Sequence, residues 1–358
     1  MKLVPLTSIS PSHFEALRKC ALQVVLERTF PQGGLPPTVY MLVGTLIHRV
    51  AEQAFKESPA NQVELERIWL RVADDFEAQL SKRASTAPIA PLRYSVPNFA
   101  VRRALFLRTW KYRTPSHEHK NDCSTQGGAE KVLADDTGQV SGKADLILRT
   151  SSGWVIKDFK SGQVIDSVTG EIKPEYASQL KLYAALYKHT YKEFPSKLLL
   201  VDATGEEIEV PFTPEECVGL LTEARQLLAA VNQGVADGQV EQLATPTPEQ
   251  CGWCRSRAMC PVYIGQIRLD PDSAPSDLMG ALVSHKIFGD RLQLVLELGS
   301  TRRQLMSVGI VSKRLSAQLT SITGGEILVC NARPAANRLT FTATDITCAV
   351  PVGGCGVS

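Results

Sequence analysis

The stretch GWVIKDFKSG, residues 153–162, is a short hydrophobic run that closes with an acid, one aromatic residue and a lysine before a Ser-Gly break. Its length and apolar content predict a strand. Side chains alternate across a strand, so Asp158 and Lys160 share one face while Phe159 takes the other. Asp145 closes SGKAD thirteen residues upstream, a separation that suits a hairpin partner ending beside Asp158. Two carboxylates and a lysine at the end of a sheet suit a divalent cation and a water beside a phosphate. Oxygen ligands favour magnesium or manganese, and the ammonium orients the water or stabilises charge on the phosphorane. Taken alone, D-x-K also describes an ion pair on the surface of an edge strand.

The elements around this strand follow from periodicity and punctuation. EKVLAD and QVSGKADLILRT precede it as strands joined by DDTG and SSG turns, and a helix at about 175–190 follows. KLLLVDA and EIEVPF then form a hairpin across TGEE. Thr213, Pro214 and Glu216 supply a cap, a first-turn proline and a capping-box acid for a helix ending near Val231. Upstream, Ser10 and Pro11 open a helix expected to run through about Glu27 on Phe14, Leu17, Ala21 and Val24 or Val25. Helices at about 39–56, over the segment with Ile68, Val72 and Phe76, and over VRRALFLRTWKY come next; SKRASTAPIAPLRYSVPN and PSHEHKNDCSTQGG separate elements as loops.

Two helices bring polar side chains at one-turn spacing. In GTLIHRVAEQAF, His48 and Glu52 lie four residues apart, with Gly44 a turn earlier permitting close backbone approach. In YASQLKLYAALY, Gln179 and Tyr183 have the same spacing, with Leu180, Leu182 and Leu186 left for packing.

In this order the motifs resemble the RecB-type nucleases of the PD-(D/E)xK superfamily. The pattern is G-x-x-x-H-x-x-x-E from Gly44 through His48 to Glu52, G-x-x-D from Gly142 to Asp145, D-x-K from Asp158 to Lys160, and Q-x-x-x-Y from Gln179 to Tyr183. The resemblance covers about residues 8–264. It implies an α/β restriction-endonuclease-like core, with helices around a mixed central sheet, that hydrolyses DNA phosphodiesters with Mg2+ or Mn2+. Carried over residue by residue, His48, Asp145, Asp158 and Phe159 are the metal positions. Lys160 is the water-positioning and charge-stabilising group, and Gln179 and Tyr183 complete the catalytic set. Glu52 and Glu130 are further acids that can approach. The family's glycine-arginine pair before the aspartate is replaced here by Gly142, Lys143 and Ala144.

Cysteine placement is a separate line. CGWCRSRAMCP puts Cys251, Cys254 and Cys260 within ten residues, in a segment expected to be loop-like, and Cys20 in the first helix supplies a fourth thiol. Four thiolates suit zinc or an iron-sulfur cluster, and the ligand set does not separate them. The resemblance does: an iron-sulfur subset that includes the AddB nuclease domain and the CRISPR adaptation nucleases has one cysteine before the core and three after it. It implies a structural [4Fe-4S] cluster on Cys20, Cys251, Cys254 and Cys260.

Composition excludes several classes. Of 358 residues, 44% are hydrophobic and 21% charged, and net charge is +2, so a nucleic-acid partner requires a local basic surface rather than bulk charge. Nine cysteines are too few for a secreted disulfide scaffold. No apolar stretch has the ~20 residues of a membrane span, and MKLVPLTSISPSHFEALRKC lacks a signal-peptide core, so a cytoplasmic protein is expected.

The expected organisation is a nuclease domain over 1–264 with a helical insertion at about 57–125, a linker at 265–277 and a small β-rich, OB-like domain over 278–358. In that last region ALVSHKIF, RLQLVLELG, GEILVCNA and RLTFTATDITCAV look like strands, with a helix near 301–320. Between residues 300 and 340, Arg302, Arg303, Lys313, Arg314, Arg333 and Arg338 stand against Glu326 alone, a local excess able to follow a phosphate backbone, or simply a solvated face. Cys330, Cys348 and Cys355 are too widely spaced to form a second metal site.

Two functions emerge. One is a DNA exonuclease acting on single strands or ends in repair, recombination or CRISPR-associated processing. The other is an inactive nucleic-acid-binding or structural subunit of a helicase-nuclease complex. No phosphate-binding G-x-x-x-x-G-K-[ST] loop is present, so unwinding would fall to a separate helicase partner.

Overall fold

The structure is a computed structural model that describes residues 2–31, 33–83, 86–110, 127–160, 162–202, 206–320, 322 and 325–352. It begins with α1 (Pro11–Lys19), capped by the Ser10 hydroxyl, which accepts from His13 N, with Pro11 in the first turn. The single helix expected through Glu27 is two helices. At Cys20 the backbone opens to φ −161°, ψ 101°, and α2 (Ala21–Thr29) starts afresh. Phe14, Leu17, Leu22 and Val25 are buried on both sides of the break. A one-residue interruption leaves the apolar spacing nearly intact, so the pattern reads through it.

Four helices form a core of their own. They are α3 (Val39–Glu57), α4 (Gln62–Ser81), α5 (Leu92–Ser95) and α6 (Phe99–Thr109), and α5 lies within a stretch expected to be loop. Trp69 is central, its ring 5.4 Å from Phe106 and 6.2 Å from Phe99. The rest of the expected insertion, with Cys123 at 111–126, lies outside the described residues.

The central sheet is mixed, in the order β1-β2-β3-β4-β5. β1 (Gly128–Ala134), β2 (Ser141–Thr150) and β3 (Gly153–Phe159) form an antiparallel meander. The chain then crosses through α7 (Pro174–Tyr191) to β4 (Lys197–Val201), parallel to β3, and turns back into β5 (Glu207–Glu209). α7 is buried almost all round, through Leu180, Leu182, Ala184, Leu186 and Tyr187. α8 (Pro214–Ala236) carries the expected capping box of Thr213 and Glu216 and continues past Val231.

Close packing explains the glycine of G-x-x-D. A Cβ on Gly142 would stand 2.7 Å from Pro11 Cδ and 3.2 Å from the Tyr183 ring. The first residue of α1 and an aromatic of α7 both close on β2 at the one position without a side chain.

The cysteine-rich segment is a turn between two short helices. Cys251 lies in α9 (Pro248–Trp253), Cys254 ends that helix and Cys260 starts α10 (Pro261–Leu269). A second sheet follows, built from β6 (Leu278–Phe288), β7 (Arg291–Leu298), β8 (Thr301–Val308), α11 (Gly309–Thr320), β9 (Glu326–Cys330), β10 (Arg333–Pro334), β11 (Thr340–Thr342) and β12 (Cys348–Pro351). Its order is β10-β11-β8-β7-β6-β9-β12, an open half-barrel in which the end strands do not pair with each other. The helix expected over 301–320 is therefore a strand for its first eight residues. Arg303 and Ser307 lie buried beside Leu305 on the inner face, which hid the strand alternation from a hydropathy reading.

The stretch 270–277 ends in Asp277, which is 2% exposed and ion-paired to Arg257. Leu35 and Ile264 before 265–277 share a core with Ile267 and Ala274 within it and with Met279 and Leu328 after it. No helix of the described residues is long and apolar enough to cross a membrane.

Candidate active site

β3 runs through the interior and delivers Asp158, 2% exposed, to its end. The β2–β3 register pairs Leu146 with Lys157, so Asp145 is next in line to face Asp158. Asp145 Oδ2 accepts from Phe159 N at 2.8 Å, which anchors this carboxylate to the neighbouring strand. The Phe159 side chain packs on the opposite face with Leu146, Leu148 and Val155, so only its main chain has a ligand atom to offer.

Gln179 joins the D-x-K acid to its lysine. Its Nε2 donates to Asp158 Oδ1 at 3.0 Å, and its Oε1 accepts from Lys160 Nζ at 2.9 Å. Lys160 Nζ also lies 2.6 Å from Asp158 Oδ2. That contact is an ion pair, and it leaves Asp158 Oδ2 buried against the ammonium. One turn along α7, Tyr183 Oη donates to Lys143 O at 2.6 Å, so this tyrosine buttresses β2 rather than reaching a carboxylate. Burial and the two aspartates hold its hydroxyl well above the ordinary range.

The electrostatics follow from burial. Desolvation pushes Asp158 up to about 6 against the pull of Lys160, and Asp145 raises it further. Asp145 is raised for the same first reason, with Glu130 and Glu52 adding repulsion. His48 on α3 feels Asp158 and Lys160, and burial holds it below its usual value, hence neutral near pH 7. His48, Glu52 and Glu130 are thus within electrostatic reach of the two aspartates. Glu130 is exposed, paired with Lys143 at 3.2 Å, and left-handed at φ 50°, a strained conformation for a residue with a side chain.

One residue was missed from sequence. The Tyr176 ring lies 4.8 Å under Lys160 Nζ, a cation–π contact that fixes the lysine from a third side. Its signal was available, because Tyr176 precedes Gln179 by three residues on one helix face.

Among the described residues, no three His, Cys, Asp or Glu side chains lie close enough together to hold a metal ion. The acids approach each other, but Phe159 N and Lys160 occupy their oxygens. The donor set still fits a hard divalent cation: two carboxylates from adjacent strands, a neutral imidazole nearby, and a buried Asp158 oxygen held by an ammonium that a cation can displace.

Cys20, Cys251, Cys254 and Cys260 line one small cavity with Arg257 and Tyr263. The extended backbone at Cys20 is what brings the α1–α2 junction there. Burial pushes Cys254 up to about 12, with the other three thiols adding to it, and raises Cys251 and Cys260. Cys251, Cys254 and Cys260 are thus protonated without a soft metal and release protons on binding one.

The expected basic face of the C-terminal sheet is reduced. Arg303 is buried against Pro271 O and Asp272, Arg314 against Asp345 O and Thr347 O, and Arg302 pairs with Glu297. Lys313, Arg333 and Arg338 stay exposed. Two of the six, Arg303 and Arg314, are internal scaffolding, and Arg302 is exposed in its ion pair. Cys355 lies outside the described residues.

Compared with known families, residues 8–261 match the PD-(D/E)XK nuclease superfamily. A comparison with curated proteins gives no match.

The raised carboxyl of Asp158 has a pH signature. With a folded value of about 6 against 3.8, its contribution to stability is fully present below about pH 3.8 and is lost as pH rises through about 6. In EDTA, thermal melts of D158N and wild type should therefore diverge with rising pH. The variant should gain roughly 1–3 kcal/mol relative to wild type between about pH 4 and 7. A gap that stays constant over that window contradicts the buried, raised carboxyl.

Proposed function

The chain belongs to the PD-(D/E)XK nuclease superfamily, and on that premise we propose that it hydrolyses DNA phosphodiesters in a divalent-metal-dependent reaction, as an exonuclease on single strands or free ends. The observation that carries the reading is Asp158, buried at the end of β3 opposite Asp145 with its Oδ2 2.6 Å from the Lys160 ammonium. Burying such a charged group costs stability even when it is paired, and a ligand role accounts for its retention.

Asp145 and Asp158 would hold Mg2+ or Mn2+, with His48 and the main chain of Phe159 as further donors. When bound, the cation supplies Lewis acidity toward a phosphoryl oxygen and a water of lowered pKa. The protein's own part is positional. Lys160 places a positive charge at the mouth of the carboxylate pair, where charge develops on the phosphorane. Gln179 fixes both Asp158 and Lys160 and so sets their separation before substrate arrives, and Tyr176 limits the lysine from below. His48, being neutral, adds no charge that would repel a cation. Tyr183 keeps β2, and with it Asp145, against α7.

Cys20, Cys251, Cys254 and Cys260 are proposed as ligands of a structural [4Fe-4S] cluster, with zinc as the second candidate. Their shared cavity supports this. Such a clip ties the α1–α2 junction to a segment some 230 residues later, closing a long loop. A helicase or recombination partner would supply unwinding, in repair, recombination or CRISPR-associated processing in the cytoplasm.

Two experiments test this. Wild type and D158A are assayed on end-labelled single- and double-stranded DNA with Mg2+, Mn2+ or EDTA. Wild type should release small products from ends only with metal, and the variant should be slower by on the order of a thousandfold. Undiminished cleavage by D158A contradicts the catalytic assignment, and binding without cleavage by wild type points to the inactive-subunit reading. In the second, anaerobically purified protein should be brown and contain about four irons per chain, and C20A should lose them. A colourless protein holding one zinc assigns zinc instead.

A further inference from the structure

Two cysteines outside the proposed cluster oppose each other in the C-terminal sheet. Cys330 ends β9, Cys348 begins β12, and the antiparallel register pairs them directly. Directly opposed residues project to the same face. Both enter the core that holds Leu328 and Met279, at 0% and 5% exposure.

Their place in the ladder can be assigned. Val352 N donates to Glu326 O, Pro351 has no N–H, and Ala349 N turns away from β9 to Gln318 Oε1. Alternation then makes Cys348 and Cys330 a hydrogen-bonded pair, whose Cα atoms in such ladders stand about 5.5 Å apart. Disulfides span Cα separations of about 4.4–6.8 Å. The thiols already interact: the contact with Cys330 lowers Cys348 below the ordinary thiol range, while burial raises Cys330.

The flanking backbone is held in place. Asn331 O accepts from Thr344 Oγ1 and Thr347 Oγ1, each at 2.8 Å, and Asn331 Nδ2 donates to Ile346 O at 3.2 Å. Arg314 donates to Thr347 O at 2.9 Å. The residues beside both cysteines are therefore tied to one another, and the two sulfurs meet without further ordering of the chain.

We infer that Cys330 and Cys348 form a reversible cross-strand disulfide, a redox-sensitive latch fastening the terminal strand β12 to β9. A peroxide is the oxidant class small enough for so buried a pair. The Cys348 thiolate attacks one oxygen of hydrogen peroxide, the O–O bond breaks, and hydroxide leaves as Cys348 becomes a sulfenic acid. Cys330 sulfur then attacks the Cys348 sulfur and displaces a second hydroxide as the S–S bond forms. The two thiol protons convert the two hydroxides to water, so two electrons pass from the sulfurs to the peroxide. A small dithiol reverses the bond by exchange.

The latch adjoins the join between the two halves of the chain. Asn331 N donates to Asp277 Oδ1 at 3.0 Å, and Asp277 pairs with Arg257, which lies between Cys254 and Cys260. Its effect is on the stability of the C-terminal sheet and does not depend on the nuclease reading.

The full chain is reduced, desalted, treated with hydrogen peroxide at neutral pH, denatured in acid, alkylated, digested and mapped by mass spectrometry. The expected product is one peptide pair joined through Cys330 and Cys348 and separated by dithiothreitol. Oxidised wild type should melt several degrees above the reduced protein, a shift that C348S lacks. Recovery of both cysteines as alkylated thiols overturns the inference, as does finding them only as sulfinic acids or joined to other cysteines. Should C348S not fold, the wild-type peptide map alone decides between these results.

Discussion

Burial of a carboxylate and an ammonium at the end of β3, joined through one amide, is the constraint around which the rest of the nuclease core is arranged. Asp158 is nearly inaccessible, and Gln179 donates to it while accepting from Lys160. Taking two charges out of water costs several kcal/mol per ion, and their mutual attraction often fails to offset that cost. Such a pair is thus poor at stabilising a fold. It persists because α7 supplies the bridge, and α7 can come close only because Gly142 leaves room for Tyr183 and Pro11. The apolar bulk of α7 against the sheet holds the polar end in place, which links core packing to the geometry of the candidate site.

A second buried ion pair organises the other half. Arg257 donates to both oxygens of Asp277 and to Asn331, and Tyr263 adds a hydrogen bond to the same carboxylate. This network joins the cysteine-bearing helices to the C-terminal half-barrel. The cysteine segment therefore faces two ways, toward Cys20 at the α1–α2 junction and toward the second sheet. Losing order there would loosen both, whichever soft metal the thiols take.

Much of the candidate site was legible because its motifs are short and regular. Strand alternation placed Asp158 and Lys160 together, hairpin length brought Asp145 alongside, and helical spacing put Gln179 and Tyr183 on one face. What spacing could not convey was division of labour: Gln179 touches the charges, whereas Tyr183 reaches a backbone carbonyl. The break at Cys20 was illegible because the apolar period continues through it. The 301–308 strand was disguised by Arg303 and Ser307 on its buried face, and a count of arginines does not reveal which ones donate to internal carbonyls.

The most direct test of a metal-dependent site built on Asp158 is manganese binding, followed by electron paramagnetic resonance on the EDTA-stripped full chain. The account predicts that wild type immobilises Mn2+, that D158A does not, and that K160A binds at least as tightly as wild type because a competing ammonium has been removed. Equal binding by D158A and wild type would contradict it, as would a wild-type chain that leaves all the manganese free.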